Sequence, residues 1–315
     1  MATVFIDGQA GTTGLEIAQR LRARSDVTLL EIEEARRKDT EARRELIASA
    51  DVTVLCLPDD ASRQAVELAA GKGRILDAST AYRVDPEWAY GAPEMTPGQR
   101  AAIARARLVA NPGCYPQGFI FLIRPLIESG LLAATVPLSV FGLSGYSGGG
   151  RSMIEKHQAF SAQEADRWNT RLYGLNLRHK HVPEMHTYST TRAAPLFRPS
   201  VGNYYRGMLI EVPLFSGQLR KGTGIPEVHS ILSERYANEA FIDVLPANPV
   251  DVLNDGFLDP TFCNNTNNVQ LMVFGNDDQM LLVARYDNLG KGAAGAAIQN
   301  LNLMLGVDEQ LGLVL

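Results

Sequence analysis

The chain has 315 residues, 45% of them hydrophobic and 21% charged, enough for about two domains at roughly 100–200 residues each and apolar enough to bury a large core. Thirty Lys+Arg against 35 Asp+Glu leave a net charge of −5, which supplies no basic footprint for nucleic acid, and the longest apolar run, Phe119 to Ile123, is far too short to span a bilayer. Three cysteines exclude a disulfide scaffold, and the N-terminus lacks the basic start of a signal peptide and meets Asp7 at once, so a cytoplasmic protein is expected.

The first third alternates strand and helix. Thr3–Ile6 is a short β-rich run, followed by a glycine turn and a helix with Leu15, Ala18 and Leu21 facing inward. Val27–Ile32 is the next strand, and a charged helix with Leu46 and Ile47 inward leads to Val52–Leu57. That run is apolar apart from Thr53, as in a parallel sheet buried on both faces. Pro58, Asp59 and Asp60 start a helix that Gly71 and Gly73 end; Arg74–Ala78 and Leu108–Ala110 are further strands. This rhythm predicts a Rossmann-type, doubly wound parallel sheet with helices on both faces.

Beyond Asn111 the period changes. A helix from Pro116 to Ser129 precedes extended runs at Thr135–Leu143, Gly207–Phe215, Phe241–Leu245, Val269–Phe274 and Met280–Tyr286, the last two joined by a hairpin loop at Asn276–Gln279. The expectation is an α/β chain. Residues 1–113 and 291–315 form the dinucleotide-binding domain, to which the last helix returns, and residues 114–290 form an α+β domain with a mostly antiparallel sheet.

The turn after the first strand reads Gly8-Gln9-Ala10-Gly11-Thr12-Thr13-Gly14 and opens a helix, whose N-terminal N–H groups and partial positive charge suit a pyrophosphate. Gly8, Gly11 and Gly14 let the phosphates approach the backbone, with Thr12 and Thr13 between them. The spacing is GxxGxxG, so a plain strand–helix turn stands as the alternative. At the end of the second strand Glu31 or Glu33 would hold a ribose hydroxyl, whereas Arg36-Arg37-Lys38 would pair with a 2′-phosphate; a solvated loop is the other reading of that cluster.

Asn111-Pro112-Gly113-Cys114-Tyr115-Pro116 sets one cysteine in a turn at a helix start, where the dipole and local N–H donors favour the thiolate. Cys56 lies in a core strand, and Cys263 among asparagines. In His179-Lys180-His181-Val182-Pro183-Glu184 two imidazoles fall on one face of an extended segment, and Glu184 is placed to orient one ring. His181 is the first candidate for general base and His179 the second.

These motifs resemble those of the N-acetyl-γ-glutamyl-phosphate reductases in their shorter form, relatives of the aspartate-semialdehyde and glyceraldehyde-phosphate dehydrogenases. The likeness runs nearly end to end. It takes in the glycine loop, Asp77-Ala78-Ser79-Thr80-Ala81-Tyr82-Arg83, Tyr90-Gly91 and, most specifically, Asn111–Pro116, where the family's nucleophile falls on Cys114. Ser144-Gly145-Tyr146-Ser147-Gly148-Gly149-Gly150-Arg151 matches the family's SGxSGxGR loop, His179–Glu184 its HRHxPE segment, and Asp287–Gly295 completes the set. Two departures stand out. The chain has fewer residues between the second and third strands, and Lys180 replaces an arginine, keeping the charge but not a bidentate fork.

The resemblance implies NADP(H)-dependent reduction of an acyl phosphate, N-acetylglutamyl 5-phosphate, to the semialdehyde through a thioester on Cys114. It also implies roles for residues in the matching motifs. Arg83 and Arg151 would grip substrate anions, Ser147 and Gly148 would hold phosphate or carboxylate oxygens, and Asn111 and Glu184 would join the substrate set. Ser79 and Asn288 would serve the cofactor, Asn288 at the nicotinamide carboxamide. No metal, nucleic acid or membrane is implied, and the antiparallel sheet suggests a homo-oligomer, dimer or tetramer. Rival readings are another acyl-phosphate reductase (aspartyl or aminoadipyl), a serine hydrolase using Ser147 in Gly145-Tyr146-Ser147-Gly148-Gly149, a zinc site at His179, His181, Glu184 and His186, and a non-catalytic NADP sensor.

Overall fold

The computed structural model describes residues 1–315 and divides into two compact units, Met1–Gly113 with Ala293–Leu313, and Cys114–Gly292 with Val314–Leu315. In the first, β1 (Ala2–Asp7), α1 (Thr12–Arg22), β2 (Val27–Leu30), α2 (Thr40–Ser49), β3 (Val52–Leu55), α3 (Asp59–Ala69) and β4 (Arg74–Asp77) alternate. They are followed by β5 (Ala89–Tyr90), α4 (Gln99–Arg105) and β6 (Leu108–Ala110). All six strands are parallel, in the order β2-β1-β3-β4-β6-β5.

The expected double winding is present, and strand alternation explains it. Val4, Ile6, Val52, Val54, Leu76 and Val109 pack on one face with Ile17, Ala18 and Leu21 of α1, Ile103 of α4 and Ile298 and Leu301 of a late helix. Phe5, Leu55, Ile75 and Ala110 point to the other face, with Ile47 of α2 and Ala65 and Ala69 of α3. Leu15 does not join them. It is 54% exposed, and Ile17 takes its inward place because α1 begins at Thr12 and turns that side away. The order reverses between β1 and β3, the switch point at which open α/β sheets bind ligands.

The second unit opens with α5 (Cys114–Glu128), which begins two residues earlier than the sequence predicts and is buried from Tyr115 to Ile123. It continues through β7 (Ser139–Gly145), α6 (Gly150–Gln158), α7 (Ala162–Arg167), β8 (Thr170–Leu172), α8 (Val182–Ser189), β9 (Leu196–Gly202), β10 (Met208–Phe215), α9 (Ile225–Tyr236) and β11 (Ile242–Val244). A small ribbon of β12 (Leu253–Asn254) and β13 (Phe257–Leu258) follows, then β14 (Val269–Gly275) and β15 (Gln279–Tyr286). The seven-stranded sheet runs β11-β14-β15-β10-β7-β9-β8 and is mostly antiparallel, as expected; β11 with β14 and β7 with β9 are the parallel pairs.

Two differences from the sequence reading trace to proline. The strand expected from Thr135 starts at Ser139, because Val136 closes a turn onto Ala133 and Pro137 has no N–H for a ladder. The strand Leu196–Gly202, not among the runs expected from sequence, contains Pro199, which is tolerated because it lies just beyond the residues that β8 pairs. After β15 a single π-turn at Gly290–Ala294 leads into α10 (Gly295–Leu305), which belongs to the first unit and packs on its α1/α4 face.

Candidate active site

In the first unit the glycine loop lies at the carboxyl end of β1. Gly8 has φ +91°, and a Cβ there would lie 2.4 Å from the Cys56 carbonyl oxygen; one on Gly14 would lie 2.7 Å from the Gly8 carbonyl oxygen. Those two glycines are dictated by packing. Gly11, the N-cap of α1, has nothing nearer than 3.6 Å and no side-chain cap, so the first-turn N–H groups of Thr12, Thr13 and Gly14 are left to a ligand. The loop therefore fits a dinucleotide pyrophosphate. At the end of β2, Glu31 pairs with Arg22 at 2.7 Å, while Arg36 and Arg37 are about half exposed, held only by Asp39 at 3.3 Å and Glu34 at 3.5 Å.

Several motif residues make hydrogen bonds within their own unit. Ser79 donates its hydroxyl to buried Asp77 at 2.6 Å and accepts from the Ala81 N–H, which ties the turn after β4. Arg83 is buried in the same unit and donates to the Ala78 carbonyl at 3.0 Å. Asn111 donates to the Ala293 carbonyl at 3.1 Å and accepts from Asn300 at 3.0 Å. Its amide fastens β6 to the segment leading into α10.

In the second unit Cys114, Tyr115, Gly148, Tyr173, His179, Lys180 and His181 line one cleft of about 200 Å³, along with Met153 and parts of β7 and β9. Cys114 is the first residue of α5. The two histidines do not sit on an extended segment: Lys180 lies in a turn and His181 caps α8, because Pro183 belongs to the first helical turn. The turn still brings the rings together edge to face, 4.8 Å between centroids.

The imidazoles differ in kind. The His181 backbone N–H donates to His179 Nδ1 at 3.2 Å, which leaves the ring proton of neutral His179 on Nε2. Tyr115, Tyr173 and Phe197 pack edge-on around His179, at 6.0, 5.6 and 5.1 Å. Burial and neighbouring Lys180 push its pKa down to about 4. His179 is thus a neutral donor at working pH, and its Nδ1 is unavailable as a base. His181 is buried, and Glu184 is buried three residues on, in the first turn of α8.

Ser147 is buried in a short turn after β7, and its hydroxyl accepts from Asn288 at 2.9 Å. The other end of the Asn288 amide accepts from the Gly207 N–H at 2.8 Å, so Asn288 holds the loop and keeps a second N–H and a second lone pair beyond these two bonds. A hydrolase nucleophile needs an imidazole where Ser147 has this amide, and the serine-hydrolase reading falls on that. Arg151 projects into solvent, its side chain 72% exposed and paired with Glu155 at 2.7 Å, and does not line the cleft. Lys180 is the cation that does. Tyr115 and Tyr173 were missed by sequence reasoning, although adjacency to Cys114 marks Tyr115. No three His, Cys, Asp or Glu side chains gather in a metal-ligand arrangement.

Comparison with known proteins follows the same division. Residues 114–288 match the model for the semialdehyde dehydrogenase dimerisation domain, and residues 29–104 that for the semialdehyde dehydrogenase NAD binding domain. An N-acetyl-γ-glutamyl-phosphate reductase 2 from Nostoc sp. is 50% identical over 317 residues, covering 98% of each chain. The chain belongs to that reductase family, within the semialdehyde dehydrogenases. A Brucella suis N-acetyl-γ-glutamyl-phosphate reductase is 48% identical over 307 residues, covering 96% of this chain and 98% of its own. Among solved structures, aspartate semialdehyde dehydrogenase II from Vibrio cholerae complexed with ASA superposes with TM-score 0.71 at 15% identity, covering 97% of this chain and 98% of its own. The Candida albicans aspartate semialdehyde dehydrogenase with NADP gives 0.65 at 13%, with the same coverage. At that identity the structures speak for the shared fold alone. No helix is long and apolar enough to cross a membrane.

Proposed function

We propose that the chain reduces N-acetyl-L-glutamyl 5-phosphate to N-acetyl-L-glutamate 5-semialdehyde and phosphate, with NADPH as reductant, in arginine biosynthesis. The observation that carries this reading is the end-to-end likeness to the Nostoc reductase at 50% identity. The cleft supports it. Its lining holds one cation, Lys180, and no carboxylate. That charge pattern suits a substrate whose amine is acylated and whose carboxylate and phosphate are anionic; the α-ammonium of aspartyl phosphate would have no counter-charge.

In this reading the Cys114 thiolate attacks the acyl carbon, the C–O bond to phosphate breaks, and a thioester forms. The helix start favours the thiolate. Reduced nicotinamide, when bound, supplies the hydride that takes the thioester to a thiohemiacetal. His181 gives a proton to the developing oxygen and recovers it as the C–S bond breaks to free the aldehyde and thiolate. His179, through Nε2–H, orients substrate oxygen, and Lys180 holds an anionic group. Run in reverse with NADP⁺ and phosphate, N-acetylglutamate semialdehyde should exceed aspartate semialdehyde in kcat/KM by at least about 100-fold; equal rates with the two would refute the substrate assignment.

The preference for NADP rests on the exposed Arg36 and Arg37 and on the engagement of Glu31 by Arg22. Changing both arginines to alanine should raise the KM for NADPH about tenfold or more and leave NADH nearly unchanged. A matched loss for both would remove their phosphate role. The dimerisation-domain match supports a homo-oligomer, dimer or tetramer, and three free cysteines are in keeping with a reducing cytoplasm.

A further inference from the structure

Tyr286, the last residue of β15, is fully buried, and its hydroxyl ends at the start of α5. It donates to the Cys114 carbonyl and accepts from the Gly118 N–H at 3.1 Å. An α-helix pairs these two groups directly, residue i with residue i+4. Here a phenol from a distant strand stands on both. Two glycines leave the room: a Cβ on Gly118 would lie 2.9 Å from the Tyr286 hydroxyl and 2.7 Å from Ile210 Cγ1, and one on Gly292 would lie 3.1 Å from the Cys114 Cβ. Burial, and after it the charge at Cys114, push the phenol well above the ordinary tyrosine range, so it stays protonated and stays a donor.

We propose that Tyr286 is a positioning residue for Cys114, its hydroxyl fixing the first turn of α5 and offsetting the negative end of the Cys114 carbonyl beside the sulfur. The proposal rests on the reading of Cys114 as the nucleophile. A buried tyrosine needs only some partner for its hydroxyl, and many carbonyls would serve. This one bridges both ends of the turn that carries the thiol. Without the hydroxyl, Gly118 and Cys114 close on each other, the turn tightens and the Cα–Cβ bond of Cys114 swings. Sub-ångström to 1 Å misplacement of a reacting atom costs up to about 100-fold in rate.

The test uses the full chain. Tyr286→Phe should lower kcat about 10- to 100-fold with KM within about twofold, and the pH midpoint of Cys114 alkylation by iodoacetamide should rise by about half a unit or more. Gly118→Ala keeps the ring in the core and displaces the hydroxyl from the other side, so it should produce the same pair of changes. The double variant should be no worse than the worse single one. A role confined to stability would lower Tm in both variants while kcat per folded molecule and the alkylation midpoint stay at wild-type values, and that result overturns the proposal. Alkylated wild-type enzyme separates the two levels. Turnover that survives complete alkylation of Cys114 overturns the nucleophile reading and this proposal with it, whereas turnover lost on alkylation but retained by both variants overturns only the role of Tyr286.

Discussion

Cys114→Ser is expected to lose at least about 10⁴-fold in kcat while binding NADPH with unchanged affinity, since removal of a covalent nucleophile abolishes the intermediate rather than weakening it. The serine hydroxyl has nearly the same volume, so the cleft should keep its shape, but it does not ionise at neutral pH. Neither of the other cysteines can stand in. Burial, with Asp77 and Asp7 nearby, pushes the Cys56 thiol up to about 12, and burial pushes Cys263 up to about 11. Iodoacetamide at pH 8 therefore reads Cys114, and substrate should protect it. Intrinsic fluorescence titration with NADPH and a steady-state assay decide the matter: residual turnover within tenfold of wild type would sink the thioester route.

His181→Asn should lower kcat by about 10²- to 10³-fold with a small change in KM, the range expected for loss of a positioned acid–base group. His179→Gln should cost less than about tenfold by the same scale, because a neutral amide can replace a neutral donor. The pH profile carries the sign. His179 is held down to about 4, so it is uncharged across the working range and gains a proton only as the pH falls toward that value. An ionisation seen between pH 5 and 8 in kcat/KM must then come from another group. Were His179→Gln the more damaging change, the two roles would have to be exchanged.

The sheet architecture was readable because its signal is local: the apolar Val4–Ile6 and the β-branched, mostly apolar Val52–Leu55 mark strands buried on both faces. Cys114 was readable for a related reason, since a proline and a glycine beside it announce a helix start. Contacts were illegible where a residue's partner is remote. Asn111 meets Ala293 and Asn288 meets Ser147, pairings that no local pattern announces. The bond of Ser79 to Asp77, two residues away, depends on a buried carboxylate that sequence alone does not place. Arg151 fits the family pattern by position and pairs with Glu155 one helical turn on. Tyr286 left no local trace at all.

The placement of α10 also constrains how the chain is made. Ala297, Ile298, Leu301 and Met304 complete the apolar layer begun by Ile17, Leu21 and Ile103, and the whole of the second unit's sheet lies between the two sides of that layer in sequence. During synthesis the nucleotide unit must wait with one flank uncovered until the ribosome releases the final helix, while every residue of the seven-stranded sheet has already emerged. The middle of the polypeptide can thus reach its native form before its beginning does, and a nascent chain stalled short of residue 293 presents an oily surface for chaperones to hold.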